Sequence, residues 1–157
     1  MKIQNTLVSI LIINFNNAKL ITRAVNSCLG QSYKNFEILI FDDRSSDDSS
    51  EIIKKFKNNK KIRIFFNKKK KYRFAALNAM NGYISIFKKS KGSIICLLDS
   101  DDYFHKNKLG KILKIFQKKR KINFVQNLPY IKGGKKLKKT NKNNPMSFWP
   151  YLAPESC

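Results

Sequence analysis

Several common chemistries have little to stand on in this sequence. It has three cysteines, Cys28, Cys96 and Cys157, with no C-x-x-C. Neither a zinc site nor a disulfide framework is indicated, and reduced thiols are the default reading. The single histidine, His105, follows Tyr103-Phe104 at a helix start and reads as structural or surface. No Ser-His-Asp arrangement is readable around it. Neither G-x-x-x-x-G-K-[ST] nor G-x-G-x-x-G occurs, so the two common glycine-rich phosphate cradles are absent. No apolar stretch approaches the roughly 18–20 residues that cross a bilayer. Residues 7–13 follow Lys2 and could mimic a signal core. They run straight into Asn14-Phe15-Asn16-Asn17 with no small-residue cleavage site, and so read as a buried strand. The expectation is a cytoplasmic protein whose membrane contact, at the inner face, is peripheral.

Acidic residues are scarce too. Ten face 33 basic ones, for a formal net charge of +23. Such a balance suits an anionic partner: nucleic acid, an anionic membrane face or a phosphorylated ligand. The abundance of Lys, Asn, Ile and Phe also fits an AT-rich coding bias, which competes with that reading.

What is present describes a folded α/β chain. At 157 residues and 42% hydrophobic, it fits one domain with a packed core. Residues 7–13 form a β-rich run. A helix follows, capped by Asn16 or Asn17, with Leu20, Ile21, Ala24, Val25, Cys28 and Leu29 on one stripe. Gly30 offers its stop. A second strand covers 36–41. Ser45-Ser46-Asp47 supplies capping oxygens for a helix with Ile52, Ile53 and Phe56 inward. A third strand covers 62–66, then a basic loop 68–71. A helix over 74–89 buries Ala76, Met80, Tyr83, Ile84 and Phe87. Gly92 ends it before a fourth strand at 93–98. Repeated β-α-β order argues for a mostly parallel sheet flanked by helices. A helix over 106–119 points Leu109, Ile112, Leu113 and Phe116 inward. A hairpin is expected across Gly133-Gly134, between 122–131 and 135–137, followed by a basic loop at 138–144.

Ligands of open α/β sheets bind beyond the carboxyl ends of the strands. Five of the ten acidic residues fall there: Asp42 and Asp43 after the second strand, and Asp99, Asp101 and Asp102 after the fourth. Crowded carboxylates repel unless a cation holds them. Oxygen ligands favour Mg²⁺ or Mn²⁺, bound by one or two carboxylates together with substrate phosphates. The plain alternatives are a turn and helix cap for Asp42-Asp43 and a solvated loop for residues 99–102.

Those residues carry a resemblance. Val8-Ser9-Ile10-Leu11-Ile12, then Asn14-Phe15-Asn16, then Gln31-Ser32-Tyr33-Lys34-Asn35-Phe36-Glu37-Ile38 resembles the opening of family 2 glycosyltransferases. Asp42-Asp43-Arg44-Ser45-Ser46-Asp47 is similar to that family's D-D-G-S-x-D segment. Arg73-Phe74-Ala75-Ala76-Leu77-Asn78-Ala79 is similar to its R-x-A-A-L-N-x segment. Leu98-Asp99-Ser100-Asp101-Asp102 is similar to its D-x-D-D metal motif. The likeness runs over residues 6–125 in order. Three substitutions depart from the pattern: Ile13 for Pro, Phe15 for Tyr, and Arg44 for a Gly whose position often takes φ > 0.

The resemblance implies the GT-A fold, Rossmann-like, and inverting transfer from a nucleotide-activated sugar, with Mn²⁺ or Mg²⁺ as cofactor. By motif match, Asp43 would bond the nucleobase, with Asn14 and Phe15 lining the pocket. Arg73 would sit near the diphosphate, Asp99 would face ribose and metal, and Asp101 would bind the metal. The partners implied are a UDP-sugar donor and a saccharide or lipid-linked acceptor. Residues 1–104 would form the nucleotide-sugar half and 105–157 the start of the acceptor half, with the domain C-terminally incomplete. The catalytic base is expected beyond Cys157, because Glu155 is the only acid after Asp102 and a frayed terminus is a poor place for a base. Two other classes compete. One is a basic nucleic-acid-binding module without sequence specificity. The other is a sugar nucleotidyltransferase, whose glycine-rich N-terminal loop is missing here.

Overall fold

The computed structural model describes residues 5–69, 73–118 and 124–125. The chain divides into two compact units, Met1–Arg120 and Lys121–Cys157. The second contributes only Phe124 and Val125 to the described residues. The hairpin expected across Gly133-Gly134, the basic loop at 138–144 and Glu155 lie outside them.

In the first unit the order is β1 (Val8–Asn14), α1 (Ala18–Leu29), β2 (Phe36–Asp42), α2 (Ser49–Lys54), β3 (Ile62–Phe66), α3 (Ala75–Phe87), β4 (Ile94–Asp99) and α4 (Lys108–Lys118). The strands form one parallel sheet in the order β3-β2-β1-β4. β1 is buried along its whole length, as a central parallel strand covered on both faces must be. This explains why residues 8–14 read as a continuous apolar run without alternation.

The helices divide between the faces for a reason of handedness. The path β1→β2→β3 moves outward in one direction. The path β3→β4 then returns across β2 and β1. Right-handed crossovers therefore place α1 and α2 on one face and α3 on the other. The packing follows this: Ile21, Val25, Cys28, Ile53, Leu109 and Leu113 join Ile10, Ile12, Ile38 and Ile40 on one side. Ile86 joins Leu11, Ile13, Leu39 and Phe41 on the other. Each fully buried aliphatic side chain contributes about 1.5–3 kcal/mol. Burial also pushes the Cys28 thiol up to about 12 and the Cys96 thiol up to about 11. Both are inert core residues, as the sequence suggests.

Helix α4 packs into the core of the first unit, which runs on to Arg120. Gly30 ends α1 as expected, and it does so at φ −74°, outside the left-handed region. One expectation, the inward face of α3, needs correcting. Helix α3 is turned from the expected face. Asn78, Gly82 and Ile86 are its buried residues, while Met80, Ile84 and Phe87 are about half exposed, at 56%, 48% and 55%. The helix is apolar around most of its circumference, so periodicity alone does not select a face. Size does. A Cβ on Gly82 would stand 2.9 Å from the Phe41 ring and 3.1 Å from Ile13. The helix presents its smallest residue where it lies closest to the sheet.

Near the amino ends of the strands, Glu37 joins several segments. It accepts from Ser9 Oγ (2.7 Å), from the Lys91 amide (2.6 Å) and from Arg63 Nη2 (2.7 Å). Burial alone would raise its pKa, but these donors and the Arg63 charge outweigh it and hold the carboxyl below its usual range.

Two predictions follow from this packing. Gly82→Ala should destabilise by about 1–2 kcal/mol, the overpacking cost exceeding alanine's helix preference. Gly92→Ala should cost more, since its Cβ would meet the Ser9 backbone nitrogen at 2.5 Å; urea melts of both variants measure the difference. For Glu37 the folded pKa is depressed. Its contribution is therefore present above the unfolded carboxylate value, about 4.3, and is lost as pH falls through the folded one. Glu37→Gln should lower stability at pH 7 and flatten the acid limb of a stability–pH curve. An unchanged acid limb would contradict this role.

Candidate nucleotide and metal site

The loops after β2 and β3 diverge, because α2 lies on one face and α3 on the other. That divergence makes the carboxyl ends of these strands a topological switch point, where open α/β sheets bind ligands. Asp43 and Asn67 meet there, with Asn67 Nδ2 donating to Asp43 Oδ1 at 2.6 Å. The Asp43 amide donates to the Asn14 carbonyl at 2.8 Å. Asp43 is half-buried and directly follows the last residue of β2.

Its neighbour Asp42 has a different task. Its carboxylate is buried and accepts from Asn14 Nδ2 (2.8 Å), Ser45 Oγ (2.6 Å), the Ser45 amide (3.1 Å) and Ser50 Oγ (3.3 Å). The sequence pattern treats Asp42-Asp43 as one acidic cluster needing a cation. In the folded chain hydrogen bonds accommodate the Asp42 carboxylate, while Asp43 is half-buried and its carboxylate accepts from Asn67.

Asn14 lies beneath the Asp42 loop. It is expected to line the pocket, yet it is fully buried. Its amide donates to Asp42 and to Ser45 Oγ, the latter at 3.0 Å. Those acceptors fix the amide orientation and leave Asn14 Oδ1 as a buried acceptor with no partner. Asn14 supports the Asp42 loop from below the surface, while the adjacent Phe15 is exposed.

The β1 and β2 loops are zipped together. Ser45 Oγ accepts from the Asn16 amide at 2.9 Å, and Asn16 Oδ1 accepts from the Ser46 amide at 2.7 Å. Asn16 and Arg44 have φ of 51° and 62°, so the left-handed turn survives although arginine replaces glycine. The oxygen expected at the start of α2 is there, but the one expected at the start of α1 comes from another residue. Asn17 makes no side-chain cap on α1. Instead Asp47 Oδ2 accepts from the Ala18 amide at 2.9 Å, while Asp47 Oδ1 accepts from the Ser49 amide at 3.0 Å. One carboxylate thus serves the amino ends of two helices. Desolvation works against its charge, but the Ser49 and Ala18 donors prevail and lower its pKa.

Asp99 stands beside Ile13 in the sheet register, so the second acidic group adjoins the first across β1. Three contacts missed in the sequence hold it. Tyr83 Oη donates to Asp99 Oδ1 at 2.7 Å, and Asn17 Nδ2 to Ser100 Oγ at 2.8 Å. Arg23 Nη2 donates to the Asp101 carbonyl, with its guanidinium carbon 5.1 Å from the centre of the Tyr103 ring. Burial raises the Asp102 carboxyl, and the Asp101 and Asp99 charges raise it further, against Arg23. Burial and the Asp99 charge likewise push the Tyr83 phenol upward, so it is a firm donor. The alternation of Tyr83 between a core role and a polar tip was the available signal. Arg73 is exposed one residue before the Phe74 cap of α3. His105 is exposed, and its Nδ1 accepts from the Asn107 amide at 3.3 Å, a local role at the start of α4.

A divalent ion fits this donor set. Among the described residues no three acidic, histidine or cysteine side chains converge as a complete cage. Mg²⁺ and Mn²⁺ do not require one, since phosphate oxygens and water fill the remaining positions. Asp99 and Asp101 supply hard oxygens, and mutual repulsion among residues 99–102 makes a cation favourable.

A Rossmann-like GT-A unit with acidic loops along the carboxyl edge is the class this fold and site define. The profile of Glycosyl transferase family 2 matches residues 9–155, and the chain belongs to that family. It is 39% identical over 125 residues to the UDP-Glc:alpha-D-GlcNAc-diphosphoundecaprenol beta-1,3-glucosyltransferase WfaP of Escherichia coli, covering 80% of this chain and 47% of WfaP. It is also 39% identical over 123 residues to an uncharacterized glycosyltransferase of Rickettsia felis, covering 78% of this chain and 19% of that one. The chain therefore spans less than half the length of these relatives. Among solved structures, Staphylococcus aureus TarS 1–349 in complex with UDP-GlcNAc shares the fold with a TM-score of 0.61 at 23% identity, covering 72% of this chain and 32% of that one. The mannosyltransferase PcManGT of Pyrobaculum calidifontis, in complex with GDP-Man and Mn²⁺, shares it at 0.60 and 16% identity, covering 69% of this chain and 32% of that one.

The loop geometry yields a test. Arginine in the left-handed region costs of order 1–3 kcal/mol, so Arg44→Gly should be neutral or stabilising by up to ~1 kcal/mol after the extra unfolded-state entropy of glycine. Arg44→Val should destabilise. Thermal melts giving the reverse order would show that Arg44 is held by something other than this turn.

Proposed function

We propose that this chain binds the donor of an inverting glycosyltransferase, a nucleotide-diphospho-sugar held with the help of Mn²⁺ or Mg²⁺. The acceptor on this reading is a saccharide or a lipid-linked saccharide. The observation that carries it is the pairing of two sites along one sheet edge: Asp43 at the switch point, and the Asp99–Asp101 loop one strand beyond β1. A single carboxylate suits a nucleobase N–H. A cluster of carboxylates suits an ion that accompanies phosphates.

The chain's residues divide the work. Asp43, braced by Asn67, would accept from the base and fix which nucleotide enters, while exposed Phe15 offers an apolar face beside it. Asp101 and Asp99 would hold the ion. Arg73, at the mouth of α3, would approach the diphosphate through its flexible side chain. When bound, the ion would offset the charge that collects on the departing diphosphate. The nucleotide is inferred to be UDP, because WfaP is named for UDP-Glc and TarS was crystallised with UDP-GlcNAc.

Calorimetry with UDP distinguishes the roles. The unaltered chain should bind UDP markedly more tightly with Mn²⁺ than with EDTA. Asp101→Ala should remove that gain, a loss of several kcal/mol if the ion is the main clamp. Asp43→Ala should weaken UDP binding under both conditions while leaving the Mn²⁺-dependent increment in place. Equal UDP affinity of the unaltered chain with and without Mn²⁺ would sink the metal-dependent reading.

A further inference from the structure

We infer that Arg23 is a positioning residue for the metal-binding loop, acting from helix α1 on the backbone of Asp101. The inference rests on the donor-site reading above and assigns a determinant of it that lies outside all the matched motifs.

The loop after β4 carries three carboxylates within four residues, and each of its first residues is anchored differently. Asp99 is held through its side chain by Tyr83, and Ser100 through its side chain by Asn17. The Asp102 amide closes a turn onto the Asp99 carbonyl at 3.1 Å. Asp101 is reached through its peptide, by the Arg23 guanidinium. The same guanidinium covers the Tyr103 ring. One side chain therefore spans the loop from 101 to 103. With its carbonyl held by Arg23 and its amide hydrogen held by the Asp99 carbonyl, the peptide between Asp101 and Asp102 is restrained at both ends, which narrows the directions open to the Asp101 side chain. The Asp101 carboxylate is thereby aimed without being occupied, which a direct Arg–carboxylate pair would not achieve. Arg23 also places a permanent positive charge beside a loop whose carboxylates repel one another, so the loop can keep its shape before an ion arrives.

Arginine suits both contacts at once. Its planar fork donates to a carbonyl while its face lies on an aromatic ring. The helix stem supports it: Ala24, on the next position of α1, is buried in the core, so the base of the arm is rigid even though its tip is exposed.

The test uses the full chain, with UDP as probe. UDP affinity is measured in Mn²⁺ and in EDTA for the unaltered chain, Arg23→Met and Arg23→Lys, beside metal-free thermal melts. Removal of groups that orient metal ligands characteristically costs about 10–100-fold in metal-dependent affinity. Arg23→Met, which keeps the aliphatic stem, should therefore lose about tenfold or more in Mn²⁺, with its EDTA affinity and melting temperature unchanged. Arg23→Lys, which keeps the charge and one donor for the carbonyl but has no planar face to lay on Tyr103, should recover part of the loss. The inference is overturned if Arg23→Met keeps its Mn²⁺-dependent gain. It is overturned equally if the loss is the same in EDTA, which would mean direct contact with the nucleotide, or if the melt falls in parallel, which would mean general stability. Absence of any Mn²⁺-dependent gain in the unaltered chain would remove the metal reading itself and this inference with it. A gain there that persists in Arg23→Met removes this inference alone.

Discussion

The buried carboxylate of Asp42 is the constraint on which the carboxyl edge of the sheet depends. A carboxylate out of water is costly unless donors replace its hydration. Here Asn14, Ser45 and Ser50 surround it, and each comes from a different segment: the end of β1, the β2–α2 loop and helix α2. Satisfying one charge therefore locks three segments in register. The Ser45 hydroxyl extends the network. It donates to Asp42 and accepts from Asn14 and the Asn16 amide, which uses its full hydrogen-bonding capacity. From Ser45 the chain of contacts runs through Asn16 and Ser46 to the Asp47 carboxylate at the start of α1. The loops after β1 and β2 are thus tied together around one buried acid, with Asp43 directly after it.

The second acidic loop is built on another plan. Its carboxylates are left toward the outside, and the support comes from neutral or cationic groups on the two helical layers: Tyr83 from α3, Asn17 and Arg23 from the α1 side. The sheet separates those layers, so the loop after β4 is gripped from both faces. The contrast has a physical basis. A carboxylate satisfied by protein donors is a poor metal ligand, whereas one oriented through its backbone or through one oxygen keeps lone pairs for an ion. The chain spends its internal hydrogen bonds on Asp42 and spares Asp101.

Much of this was legible in the sequence, for identifiable reasons. The four strands, the four helices and the parallel order follow from apolar runs punctuated by polar loops, and those signals are local. The inward faces of α1 and α4 were readable because each carries one apolar stripe. The face of α3 was not, since Phe74, Leu77, Met80, Ile84 and Phe87 are apolar yet exposed, and the choice was made by the close approach of Gly82 to Phe41 and Ile13, a tertiary fact. The two adjacent aspartates after β2 look alike in sequence; only the convergence of Asn14 and Ser50, 28 positions and 8 positions away, separates the structural from the functional. The second role of Asp47, at the start of α1, was hidden for the same reason, because that helix is 29 residues earlier in the chain.

Asp43, which we propose meets the nucleobase, shows how these layers combine. An unbraced aspartate at a strand end would sample several rotamers and would have to be ordered on each binding event, at an entropic cost. Asn67 removes that freedom by holding Oδ1 at 2.6 Å, yet a carboxylate has a second oxygen and about four lone-pair directions in all, so ligand contact is still open to it. Asn67 is itself fixed, since its amide donates to the Asp42 carbonyl at 2.9 Å. The brace on the functional acid therefore leads back to the residue that carries the buried one. A change that loosened Asp42 would reach Asp43 twice, through the β2 backbone and through Asn67, and would act on ligand affinity from a position that touches no ligand.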